Sequence, residues 1–149
     1  MIQIINTGVA NIRSLQAAFD RLDEPWQLTE NAAEIETASH VVLPGVGAFA
    51  AAVESIDRLG LRDTIIQRIN TPQLATLSIC LGMQLLGRSS EECGTSNGLG
   101  VIPHEIERFG DDVKVPQLGW NVVEPKTDGP YETGEAYFCL LYTSDAADE

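Results

Sequence analysis

Cys80 stands between the apolar run Leu74–Ile79 and the tetrapeptide Leu81-Gly82-Met83-Gln84. A thiol so placed suits nucleophilic attack on a carbonyl carbon. The run, bounded by Pro72, predicts a buried strand of the parallel type. Gly82 permits a cramped turn, and Met83–Arg88 has helical character. A side chain at such a corner projects from the carboxyl edge of a sheet, beside backbone N–H groups that can receive an oxyanion. A small cysteine buried within a sheet fits the same local pattern, so the corner alone leaves both readings open. A second glycine-bearing corner, Pro44-Gly45-Val46-Gly47, follows an apolar run as well.

The elements that must position these corners alternate. Ile2–Ile5 is a short β run ending in Asn6, Thr7 and Gly8, after which Ile12, Leu15, Phe19 and Leu22 recur at helical spacing. Trp26–Thr29 and His40–Leu43 read as second and third strands, the latter closed by the 44–47 loop. Phe49–Leu59 and Leu61–Ile69 read as helices separated at Gly60. This βαβ order predicts an α/β fold with a doubly wound, largely parallel sheet and helices on both faces. Ligands of such sheets gather at the carboxyl ends of the strands, where both glycine-bearing corners fall. Residues 89–100, SSEECGTSNGLG, form a polar loop, and short β-like segments continue to Val123.

At 149 residues and 44% hydrophobic content the chain can bury one core. No apolar run approaches membrane-spanning length and the N-terminus lacks signal-peptide order, so a soluble, cytoplasmic protein is expected. A net charge of −13 argues against nucleic acid or an anionic membrane as the main partner. Cys80, Cys93 and Cys139 are three cysteines without CxxC or Cys/His ligand spacing, which favours a reducing compartment and no structural metal.

Four segments together carry a family resemblance: PGVGAF at 44–49, ICLGMQLL at 79–86, GLGVI at 98–102 and VPQLGWN at 115–121. Their combination resembles the class I glutamine amidotransferases, and most closely the glutaminase subunits of imidazole glycerol phosphate synthase, in histidine biosynthesis. INTGVANIRS at the start is similar to the family's first turn, with Asn6 where an aspartate is usual; Gln117 replaces a frequent histidine. The resemblance implies that Cys80 attacks the carboxamide of glutamine, forming a thioester and releasing ammonia, with water then freeing glutamate. It implies an oxyanion hole from the N–H groups of Val46 and Leu81, and substrate contacts from Gly45, Gly47 and Gln84. It places Asn11 near the cyclase subunit of the synthase, the partner that receives ammonia in a heterodimer, although Asn11 also fits an ordinary helix N-cap. No cofactor is implied.

A cysteine of this kind needs a general base, and the resemblance implies one from a His-Pro-Glu segment near the family's C-terminus. The chain's two histidines, His40 and His104, lie outside any such motif. Tyr137 and Phe138 resemble the start of a family strand, but the chain continues CLLYTSDAADE, which resembles a translated sequencing adaptor. Residues 1–138 are therefore expected to form a partial amidotransferase domain, truncated at its C-terminus, with 139–149 a non-native tail and the product unable to turn over. Two other readings use the same residues: a non-catalytic α/β module that only binds a partner, and a stand-alone cysteine hydrolase with His104 as base.

Overall fold

The computed structural model describes residues 1–8, 10–92, 94–111, 114–126 and 132–143; Cys93 and residues 144–149 of the expected tail lie outside them. Four parallel strands form the main sheet: β1 (Ile2–Ile5), β2 (Trp26–Thr29), β3 (His40–Gly45) and β4 (Ala75–Cys80). Their order is β2-β1-β3-β4. In the register of the last pair His40 faces Ala75 at one end and Gly45 faces Cys80 at the other. The two corners singled out by their glycines are thus adjacent at the carboxyl edge.

Helices connect the strands. α1 (Ile12–Arg21) follows β1, and α2 (Ala32–Thr37) lies between β2 and β3. α3 (Phe49–Arg58) and α4 (Arg62–Ile69) join β3 to β4, and α5 (Leu81–Gln84) follows β4 directly. The core forms where Ile5, Val41 and Leu43 of the sheet meet Phe49 and Ile56 of α3 and Ile65 of α4. Burying each such side chain contributes roughly 1.5–3 kcal/mol.

Beyond α5 the chain builds a second, smaller sheet and a hairpin. β5 (Ser89–Ser90), β6 (Ser96–Asn97), β7 (Glu105–Arg108) and β10 (Tyr142–Thr143) assemble in the order β10-β7-β5-β6. β8 (Gln117–Val123) pairs antiparallel with β9 (Gly134–Leu140). The expected domain boundary at 138 falls inside β9.

Several expectations need correction. β3 runs through Gly45, because Pro44 and Gly45 continue the pairing with β4. Leu74–Ile79 was expected to be buried, yet β4 is the sheet's edge strand and Leu77 is 48% exposed. Cys80 belongs to β4 itself, and the helix after it spans only Leu81–Gln84 rather than Met83–Arg88, since Gly87 and Arg88 turn into β5. α2 carries no helical hydrophobic repeat and escaped the sequence reading. It exists because the Asn31 side chain accepts from Ala33 N–H at 3.0 Å, and because buried Ile35 anchors it. The 89–100 stretch, expected to be a loop, contributes β5 and β6.

Candidate active site

Cys80 holds φ +56° and ψ −121°, a backbone conformation that non-glycine residues seldom adopt. Such a residue costs of order 1–3 kcal/mol unless its surroundings over-determine it. Here they do. Leu81, next in the chain, is 3% exposed and packs in the core. Gly82 lies so close to β3 that an added Cβ would stand 2.1 Å from the Leu43 carbonyl oxygen. Gly45 is equally confined on its side, its hypothetical Cβ lying 2.7 Å from Gly82 N. The two glycines let strand and corner touch backbone to backbone. Cys80 is exposed at the end of the edge strand, which removes the buried-cysteine reading.

The end of α5 is stitched to the GLGVI segment. Leu99 N–H donates to Leu85 O at 2.8 Å, Gly98 N–H to Arg88 O at 2.8 Å and Ile102 N–H to Leu86 O at 2.9 Å. An added Cβ on Gly98 would meet Gly87 O at 2.2 Å, so this motif is also a site of close backbone approach. Arg62 reinforces it, donating to Gly98 O at 2.7 Å while holding the Asp57 carboxylate bidentately at 2.6 and 3.0 Å. The hydrogen bonds from Arg62 keep the Asp57 carboxyl below the usual carboxylate range, although burial opposes this.

Opposite Cys80 the chain leaves β3 at Gly45 and enters α3 at Phe49, leaving Val46, Gly47 and Ala48 as a three-residue loop. Val46 is 45% exposed, and Gly47 takes φ +92° with nothing near its missing Cβ. Leu81 N–H, first in its helix, has no intrahelical acceptor. The loop and the start of α5 therefore flank the thiol. Gln84 comes one helical turn after Cys80, and its side-chain amide donates to the Tyr142 carbonyl at 2.8 Å. Asn11 is exposed at the N-cap of α1, where its side chain makes no capping bond. It follows β1 at the same carboxyl edge as Cys80.

Neither histidine is brought to the thiol by a hydrogen bond. His40 starts β3, five residues of strand from Gly45 and hence about 16 Å from the Cys80 end. The carbonyl of His104 accepts from Arg88 N–H at 2.8 Å, and its imidazole forms no hydrogen bond among the described residues. No cluster of three or more His, Cys, Asp or Glu able to hold a metal occurs among them either, and no helix among them is long and apolar enough to cross a membrane.

The sequence reading missed one residue at the site. Glu92 Oε2 accepts from Phe49 N–H at 2.9 Å, across 43 residues, at the first residue of α3. Its only sequence signal is membership of an acidic pair in a polar run. Arg68 was missed too, at the other end of the sheet. It is 2% exposed and donates to the carbonyls of Ile35 and Ala38 at 2.9 and 2.6 Å, closing the end of α2, while burial draws its guanidinium below the usual range.

A parallel sheet with a strained cysteine at the end of β4 and a glycine loop beside it is the architecture of a class I glutamine amidotransferase. A solved structure described as a glutamine amidotransferase superposes with a TM-score of 0.71 over 93% of this chain and 70% of its own, at 18% identity. No family model matches the chain. Imidazole glycerol phosphate synthase subunit HisH of Oceanobacillus iheyensis is 42% identical over 154 aligned positions, covering 100% of this chain and 76% of that protein. The HisH subunit of Chlorobium luteolum is 40% identical, covering 95% and 71%, and that of Bacillus licheniformis 37%, covering 100% and 74%. The chain belongs to the HisH family of imidazole glycerol phosphate synthase subunits.

Proposed function

We propose that Cys80 is the nucleophile of a glutaminase. The observation that carries this reading is the strained backbone of Cys80, held in register opposite Gly45 at the carboxyl edge of the sheet. The sulfur anion attacks the side-chain carboxamide carbon of glutamine. Negative charge moves to the carbonyl oxygen, which the N–H groups of Val46 and Leu81 receive, after the 46–48 loop turns a peptide if needed; Gly47 makes that inexpensive. Collapse expels ammonia once its nitrogen is protonated and leaves a thioester, which water cleaves to glutamate. Gly45, Gly47 and Gln84 hold the substrate, which requires Gln84 to exchange its bond with the Tyr142 carbonyl for one with glutamine.

Proton transfer is the step for which the described residues offer no group. His40 is at the wrong end of the sheet, and no described side chain is hydrogen-bonded to the thiol. On this reading residues 1–138 supply the nucleophile and oxyanion portion of the domain and 139–149 are a non-native tail, although 139–143 complete β9 and form β10; acylation is expected to be slow and turnover negligible. In a complete subunit the ammonia passes to a cyclase subunit in a heterodimer, docked over the β1–α1 turn and Asn11.

The test is alkylation by 6-diazo-5-oxo-L-norleucine, a glutamine analogue. Solvent protonates the diazo carbon, and the sulfur anion then displaces N₂ from it, the C–S bond forming as the C–N bond breaks. Mass spectrometry should find one adduct, on Cys80, with labelling suppressed by millimolar glutamine and absent in Cys80→Ala. Adducts spread evenly over the cysteines, or indifference to glutamine, would refute the glutaminase reading.

A further inference from the structure

We infer that Glu92 is a positioning residue for the oxyanion loop, acting through the Phe49 N–H; the inference rests on the glutaminase reading. The loop of Val46, Gly47 and Ala48 has two ends. One is fixed by the pairing of Gly45 with Cys80. The other is the start of α3, and a helix of ten residues beginning there presents N–H groups that need an acceptor. Ala48 occupies the N-cap with φ −85° and ψ 136°, the extended backbone of a capping residue, but its methyl group accepts nothing. Glu92 supplies the missing acceptor from elsewhere in the chain, and its negative charge suits a helix N-terminus.

Glu92 is itself anchored. Its N–H donates at 3.2 Å to the hydroxyl of Ser90, which is 2% exposed in β5, and β5 pairs with both β6 and β7. The first helical residue, Phe49, is 1% exposed. A line of contacts thus runs from the second sheet through Glu92 to the residue that ends the loop, and any peptide turn near the thiol is confined to three residues. Removal of the carboxylate would let the start of α3 fray and the donor at Val46 wander, and misplacement by about 1 Å can cost on the order of a hundredfold.

The test compares Glu92→Ala, Glu92→Gln and wild type in the full 149-residue chain. Two reagents are used: the diazo analogue, a glutamine mimic whose ketone oxygen must be held by the oxyanion donors to bring its diazo carbon to the sulfur, and iodoacetamide, which lacks the amino-acid end and alkylates without being seated there. Glu92→Ala is expected to slow the glutamine-protected labelling about tenfold to a hundredfold, with iodoacetamide labelling of Cys80 changed less than about twofold. Glutamine keeps an oxygen acceptor for Phe49 N–H, so Glu92→Gln should return to within about threefold of wild type. Wild-type rates in Glu92→Ala, parallel loss of both labels, or Glu92→Gln as slow as alanine would each overturn the inference while leaving the glutaminase reading intact. Absence of glutamine-protected labelling in the wild type would overturn both.

Discussion

Gly82→Ala tests whether the cysteine corner exists because two backbones touch. A Cβ at 82 would lie 2.1 Å from the Leu43 carbonyl oxygen, 2.9 Å from the Leu43 carbonyl carbon and 3.2 Å from that of Pro44. All three atoms are backbone atoms of β3, so no side-chain rotation relieves them. Strand and corner must part by about 1 Å before repulsion subsides, and Leu43, at 0% exposure, sits in the middle of the core that this movement opens. Overpacking costs typically about 1–3 kcal/mol where side chains yield; with only backbone to yield we expect about 3–5 kcal/mol. In a chain of this size that lowers the melting temperature by roughly 10 °C, at about 3 °C per kcal/mol. Circular-dichroism melts read it directly. Gly47→Ala is the control: φ is +92° but nothing crowds the missing Cβ, so only a backbone cost of about 1–2 kcal/mol is expected. Gly82→Ala melting within about 2 °C of wild type would refute the reasoning, as would equal damage from the two substitutions.

Arg68→Met leaves the buried carbonyl of Ile35 and the part-buried one of Ala38 without their donor and should cost about 3 kcal/mol or more in urea denaturation; a loss under about 1 kcal/mol would show that water replaces the guanidinium. Asp57 has a folded pKa below its unfolded value, so its contribution is fully present above about pH 4 and disappears as pH falls through the folded pKa. The side chain is 47% exposed, which limits that contribution to under about 1 kcal/mol; Asp57→Asn should narrow the stability difference between pH 7 and pH 3, and an unchanged acid limb would contradict the assignment. Ala48→Ser gives α3 a cap of its own and should stabilise by about 0.5–1 kcal/mol. Combined with Glu92→Ala it should reduce that variant's thermal loss, and strict additivity in the double-mutant cycle would argue that the two groups do not share one role.

Local pattern made β1–β3, α1 and α3 legible, because each pairs a run or repeat of apolar residues with a turn residue at its end. β4 was legible in existence and in its parallel pairing, but not in burial, which depends on whether another strand lies beside it. α2 escaped for a related reason: Asn31 and Ile35 suffice to form it once β2 and β3 fix its ends, although its sequence has no stripe. At the site, Cys80, Gly45, Gly47 and Gly82 announce themselves as a nucleophile type with glycines at close intervals. Glu92 does not. Its role depends on a contact across 43 residues, and no local property of Ser-Glu-Glu-Cys distinguishes a surface acid from a helix cap delivered by a distant segment. Arg68 reads as an ordinary cation on a helix until its burial against five backbone carbonyls is seen.

The proposed chemistry divides along a physical line. Thiol and oxyanion loop are fixed relative to each other by contacts confined to residues 43–92: the Gly45–Cys80 register, the approach of Gly82 to Leu43, and the bond from Phe49 to Glu92. None of these involves a histidine. On the glutaminase reading, the geometry that stabilises the tetrahedral oxyanion can therefore form without the group that moves the proton. Reaction with a preactivated electrophile and turnover of glutamine then become separable properties, lost through different residues. Substitutions at Gly82 or Glu92 should impair labelling and turnover together in any complete subunit, whereas loss of the base should abolish turnover and leave labelling at Cys80 largely in place.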